Sequence, residues 1–377
     1  MSAGPEMTLD KAELAALRDS IADVLKSECD SRKVHVWLDR ENDLGPAIWR
    51  QAVELGWLGL SLPEVDGGLG LGARGLQILS CELGRYAAPG GFIPTLCVAQ
   101  WLASVADGEQ RATLLGPVLS GEAAFAVPVL LEGGGTVVLS ESGNTVSGMI
   151  DVLDCAAGSV PNVYAVVPLS GAWAVVRVDG AVAKAEAIEA WDMTRDISRL
   201  ECNAAPIVAR IADADGRAGT LLGTYLALAL AADSVGGADG IARKTVEYLK
   251  ERVQFDRVVA TFQALKHRAA DLIGHITTQE ALVEQAVQCI DNGSPDAAMW
   301  ARLAKAGASD AFVFVATDCI LLHGGVGHTW EYDPQIYIKR ARLNEGLLCN
   351  NRALRDTSVR LLDEALDQGR TTTEIDW

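Results

Sequence analysis

The chain predicts an α+β architecture with a helical N-terminal domain, a small antiparallel β-barrel or sandwich in the middle, and a C-terminal bundle of the four-helix type. Three observations carry this expectation. Residues 9 to about 60 set Leu14, Leu17, Ile21, Val24 and Leu25, then Ile48, Val53 and Leu55, at helical spacing among charged positions. From about Gly121 the texture changes to short β-branched runs with turn residues between them: FAVPVLL, GTVVLS, NTVSGMIDVL, VYAVVPL and AWAVVRV. Beyond them the chain returns to long Ala- and Leu-rich segments with few prolines. The expected domains are residues 1–120, 121–212 and 213–377.

Composition bounds the function. With 377 residues, 49% of them hydrophobic, the chain has material for two or three cores. No apolar run is read as approaching the ~20 residues that cross a bilayer, and the polar, acidic start MSAGPEMTLDKAEL does not read as a signal peptide. Eight scattered cysteines without a CxxC pair suit reduced thiols and a cytoplasmic location. The net charge of −18 argues against nucleic acid or an anionic membrane as partner.

Taken in order, the Gly/Pro-rich stretch Gly56–Gly72 reads as a connector, with no preceding strand or following lysine to make it a phosphate loop. Helices are expected over Leu76–Tyr86 and Leu96–Val105, separated by the turn Ala87–Thr95. In the third domain the small residues of Ala232–Gly240 let a helix approach a neighbour closely. The stretch Tyr248–Leu272 reads as the end of one long helix, a tight break and the start of another. Lys250 and Arg252 suit the negative end of a helix dipole, but that leaves Gln254, Phe255 and Gln263 unexplained. Later, LLHGGVGHTWEYDPQIYIKRARL carries Gly-Gly-x-Gly, which by itself is a helix stop. No metal site is expected, because His323 and His328 have no Cys or carboxylate at ligand spacing.

Arg252, Gln254, Phe255 and Gln263 together resemble the acyl-CoA dehydrogenase family, whose long helix ends in Arg-x-(Gln/Thr)-Phe with a Gln eight residues after the Phe. The Gly-Trp, Pro-Glu and Gly-Gly elements of Gly56–Gly72 and the Gly-Gly-x-Gly…Lys-Arg-Ala segment match further signatures, so the resemblance spans nearly the whole chain. It implies that Arg252, Gln254, Phe255 and Gln263 hold the adenosine and pyrophosphate half of FAD across a subunit interface. The backbone amides of Gly324 and Gly325 would face the pyrophosphate. Two family positions are altered: Asp256 stands for the usual Gly, and Leu321 for a Gln.

The same resemblance exposes what is missing. The family's Thr-Glu-Pro…Gly-Ser-Asp and Trp-Ile-Thr elements around the flavin ring are replaced by AVPVLLEGGGT (Ala126–Thr136) and GMIDVLDCAAG (Gly148–Gly158). Both positions for the catalytic carboxylate are leucines, Leu348 and Leu226, and the nearest fallback is Glu345. The implied role is a non-catalytic subunit. A homologous catalytic subunit in an α2β2 heterotetramer would supply the base and the ring contacts. The substrate would be an acyl-CoA thioester, in some family members that of a steroid side chain, and the electron acceptor an electron-transferring flavoprotein. Two alternatives stay open: a self-sufficient homo-oligomer using Glu345, and a non-enzymatic scaffold that binds CoA esters.

Overall fold

The computed structural model describes residues 9–131, 135–155, 160–371 and 374–375. The chain begins with six helices: α1 (Lys11–Glu28), α2 (Ser31–Leu38), α3 (Leu44–Glu54), α4 (Gly72–Arg85), α5 (Phe92–Val105) and α6 (Gly108–Leu119). Side chains cap α1, α2 and α6. Asp10 accepts from the amides of Ala12 and Glu13 while Glu13 reaches back, a capping box that opens α1. Asp107 and Gln110 do the same for α6, a helix that the sequence reading did not separate.

Seven strands follow: β1 (Ala123–Pro128), β2 (Gly135–Leu139), β3 (Thr145–Leu153), β4 (Asn162–Leu169), β5 (Ala172–Val178), β6 (Ala183–Ile188) and β7 (Ile197–Ala212). They pair in the order β2-β3-β1-β4-β5-β7-β6, with a further pairing of β3 on β7. The expected simple antiparallel barrel or sandwich is corrected here, because β1 and β4 run parallel. The β2–β3 hairpin intervenes between them, so the chain re-enters beside β1 in the same direction. The 16-residue β7 alternates buried and exposed positions and serves both halves of the sheet, pairing with β3 and β6 early and β5 late.

The C-terminal part holds α7 (Arg217–Glu251), a two-stranded hairpin β8 (Val253–Gln254) and β9 (Arg257–Val258), then α8 (Gln263–Asp291), α9 (Ala297–His323), α10 (Pro334–Gly346) and α11 (Asn351–Asp367). Helix α7 is the axis of the molecule and is buried without interruption from Leu222 to Ala242. It touches α4 so closely that a Cβ on Gly84, Gly236 or Gly240 would overlap main-chain atoms of the facing helix. The packing role expected of Ala232–Gly240 is therefore the one observed. One expectation about apolar runs is corrected. Stretches of Arg217–Glu251 and Ala297–His328 are long and apolar enough to cross a membrane, but 94% of the former is buried inside the protein and 50% of the latter.

Candidate functional site

At the end of α7 the chain turns on two residues. Val253 pairs with Val258 and Gln254 with Arg257, leaving Phe255 (φ 55°) and Asp256 (φ 59°) as the turn. Two consecutive left-handed residues make the tight hairpin whose twist matches its strands. An aspartate tolerates this conformation better than most side chains, which accounts for Asp256 where the family has Gly. The hairpin lifts Arg252 clear of the helix end. Its guanidinium is exposed and has no hydrogen-bond or ion-pair partner among the described residues. Gln254 merely donates to its neighbour's carbonyl, Val253 O, at 2.8 Å.

Helix α9 ends opposite. Gly324 caps it with φ 68° and ψ −145°, a conformation that favours glycine, and open space lies where a Cβ of Gly324 or Gly325 would be. Arg252, Gln254, Gly324 and Gly325 thus line one concavity of about 460 Å³, with Tyr248, Leu265, His323 and Val326. Two other candidates lie outside that lining. Phe255 projects from the turn, 86% exposed, with its ring edge-on to Phe262. Gln263 is exposed at the first turn of α8.

The positions for a catalytic base are closed. Leu226 is fully buried in the middle of α7. Leu348 is buried with φ 68°, and its amide donates to Val129 O at 2.9 Å while Leu131 N donates back to Leu348 O at 3.3 Å. These main-chain bonds stitch the loop after α10 to the chain just beyond β1, and both leucines belong to the main hydrophobic core. Glu345 lies on the outside of α10, its carboxylate 2.9 Å from Arg342. Of the two segments that replace the flavin-ring elements, residues 132–134 and 156–158 lie outside the described residues. Among the rest, Ala126 and Val127 are buried strand residues whose side chains offer no hydrogen bonds.

Sequence reasoning passed over a buried charge network at the seam between the sheet and the helices. Asp233 of α7 accepts from Arg340 (2.6 Å), Arg195 (3.1 Å) and Asn344 (2.7 Å). Arg195 also pairs with Asp154 at 3.2 Å, and Arg340 reaches Thr194 and the carbonyl of Ala88. Burial pushes the Asp154 carboxyl up to about 7, against the pull of Arg195. Burial also raises Asp233, but Arg340 and Arg195 outweigh it and hold that group below its ordinary value. Asp233 sits inside the apolar run LALALAADSVGG, and a charge at such a position was the available signal. Lys305, also fully buried, donates to Glu345 O and Asn351 Oδ1 at 3.0 Å each and so holds the loop that carries Leu348.

With this geometry in hand, comparison with known proteins is specific. The family described as "Acyl-CoA dehydrogenase, N-terminal domain" matches residues 11–122, and "Acyl-CoA dehydrogenase, C-terminal domain" matches residues 224–349. Acyl-CoA dehydrogenase IpdE2 of Mycobacterium tuberculosis (strain ATCC 25618 / H37Rv) is 30% identical over 339 residues, covering 89% of this chain and 93% of that protein. IpdE2 of Mycolicibacterium smegmatis is 29% identical over 345 residues, covering 89% and 94%. The solved Tcur3481-Tcur3483 steroid ACAD variant superposes with a TM-score of 0.84 at 27% identity, covering 94% of this chain and 99% of the matched one. Family signatures at both ends, full-length relatives and a shared three-part fold have one common explanation: the chain belongs to the acyl-CoA dehydrogenase family.

Proposed function

We propose that this chain is the non-catalytic subunit of a heteromeric, FAD-dependent acyl-CoA dehydrogenase. The observation that carries the proposal is an asymmetry within one molecule. The concavity for a nucleotide tail is open and furnished, whereas both positions for the base are buried leucines, one of them bonded through its main chain to the segment just beyond β1. The residues present fit the tail of FAD. The guanidinium of Arg252, unpaired among the described residues, suits forked bonds to a pyrophosphate, and the unobstructed backbone of Gly324 and Gly325 admits close approach of its oxygens. Gln254 adds an amide at the same rim, and Phe255 and Gln263, exposed beside it, are available to the half of the cofactor that extends towards a second subunit.

FAD, when bound, supplies the hydride acceptor for α,β-desaturation of an acyl-CoA thioester. On this reading the present chain grips the adenosine and pyrophosphate, and a homologous catalytic subunit contributes the carboxylate base and the ring contacts in an α2β2 assembly. The exposed apolar side chains Val253, Phe255, Ile273, Phe314 and Leu321, on the hairpin, α8 and α9, support such a neighbour. The paired polypeptide names of the related steroid enzyme favour a heteromer and a steroid-derived acyl group. An electron-transferring flavoprotein is the proposed electron acceptor, and the cytoplasm the proposed location. Glu345, half-buried and tied to Arg342, gives no support to a self-sufficient enzyme.

The test is a flavin-to-protein ratio. Expressed alone, the chain should be colourless or insoluble. Co-expressed with its partner, it should carry about half a flavin per subunit, and Arg252→Ala should cut FAD affinity by roughly tenfold or more, the worth of a charge-assisted hydrogen bond. A yellow, active preparation of the isolated chain would refute the division of roles.

A further inference from the structure

We infer that His323 reads the base at the end of the nucleotide tail, selecting adenine by accepting a hydrogen bond from its 6-amino group. The inference rests on the nucleotide-tail reading above. His323 lines the same concavity as Arg252, Gln254, Gly324 and Gly325, one residue before the glycine pair. Its ring is locked. It stacks on Tyr248 with centroids 4.3 Å apart and planes 15° from parallel, and Tyr332 meets both rings edge-on. Its Nδ1 lies 2.8 Å from Cys319 O, and a carbonyl can only accept, so the proton sits on Nδ1. The neutral ring then carries its lone pair on Nε2, which has no partner among the described residues.

Position and chemistry agree on the occupant. The diphosphate, being anionic, goes to Arg252 and the glycine amides. The wall that the stacked pair Tyr248 and His323 gives the concavity suits a planar base instead. A fixed acceptor in that wall distinguishes a 6-amino purine, which donates there, from a 6-oxo purine, which presents another acceptor and leaves two lone pairs opposed. Sites built around one such hydrogen bond reject the mismatched analogue strongly because the buried partner is left unpaired. Burial holds the imidazole below its ordinary value, which keeps the lone pair available at neutral pH.

The experiment compares ADP and IDP by isothermal titration against the full chain and against its co-purified, flavin-stripped complex. Wild type should bind ADP about tenfold or more tighter than IDP. His323→Phe, which keeps a ring against Tyr248 but has no acceptor, should bring the two ligands within about twofold, mainly by losing ADP. His323→Gln, with a carbonyl oxygen near the place of Nε2, should restore part of the preference for ADP. Equal binding of ADP and IDP by wild type, or an unchanged preference in His323→Phe, would overturn the inference; the wild-type arm decides even if a variant fails to fold. Arg252→Ala separates the two levels of argument. If it keeps full affinity for ADP, the nucleotide-tail reading itself falls. If it loses both nucleotides while His323→Phe binds like wild type, only the role of His323 falls.

Discussion

Leu348 shows how much one position decides. The family resemblance marks it as a place for the base, and its leucine side chain already removes proton abstraction from this chain. The structure adds that its backbone is left-handed and bonded on both sides to Val129 and Leu131, with the side chain in the main core. Leu348→Glu is therefore expected to gain no dehydrogenase activity. It would set a carboxylate among apolar groups at a cost of a few kcal/mol, visible as a lower melting temperature. A measurable gain of turnover in the isolated variant would mean the seam opens more readily than its bonds suggest. Glu345, three residues away, was legible as a surface carboxylate, and its exposed pairing with Arg342 is what a helix face at that spacing produces.

At the scale of elements, two glycines on long helices behave oppositely. Gly236 of α7 meets the carbonyl of Cys81 on α4, so a methyl group there has no room and the two helices must separate. Gly274 of α8 is exposed with nothing near its missing Cβ. Alanine at Gly274 should raise stability by up to about 1 kcal/mol through helix propensity alone. Alanine at Gly236 should lower it by about 1–3 kcal/mol, the usual cost of overpacking. Denaturant melts of both variants test the contrast, and equal shifts would contradict the close α4–α7 contact. The run of small residues in Ala232–Gly240 signalled such a contact from the sequence. That α4 is the neighbour did not follow, because about 150 residues separate the two helices in the chain. The parallel β1–β4 pairing escaped for the same kind of reason, since alternation records which face is buried and not the direction of the adjoining strand.

Over the whole molecule, the Asp154–Arg195–Asp233–Arg340 network ties the sheet to the helices, and its two carboxylates respond to pH in opposite senses. Asp154 is raised from 3.8 to about 7, so the folded state holds its proton more tightly than the unfolded chain. Its contribution is complete below about 4 and is lost as pH rises through 7. Asp233 is lowered, so its contribution is present above the ordinary carboxylate range and is lost as pH falls through its folded value. Asp154→Asn should accordingly gain stability relative to wild type as pH rises from 4 to 7, read from urea melts across that range. A constant difference between the two proteins would show that Asp154 stays ionised throughout. The exposed hairpin with Val253 and Phe255 belongs to this scale too, because its apolar surface suits contact with a second subunit.

The sequence by itself determined the three-part α+β order, the family, the residues that resemble a grip on the tail of FAD, and the leucines where a base would stand. Each is a local matter of periodicity, turn chemistry or residue type at a fixed spacing. Only the tertiary structure decided that Arg252 and Gly324, 72 positions apart, line one concavity, that His323 is locked against Tyr248 with its acceptor unpartnered among the described residues, and that Leu348 is bonded to the chain just beyond β1. Those facts depend on which distant segments share a surface, and burial and hydrogen-bond pairing across such contacts leave no periodic trace along the chain.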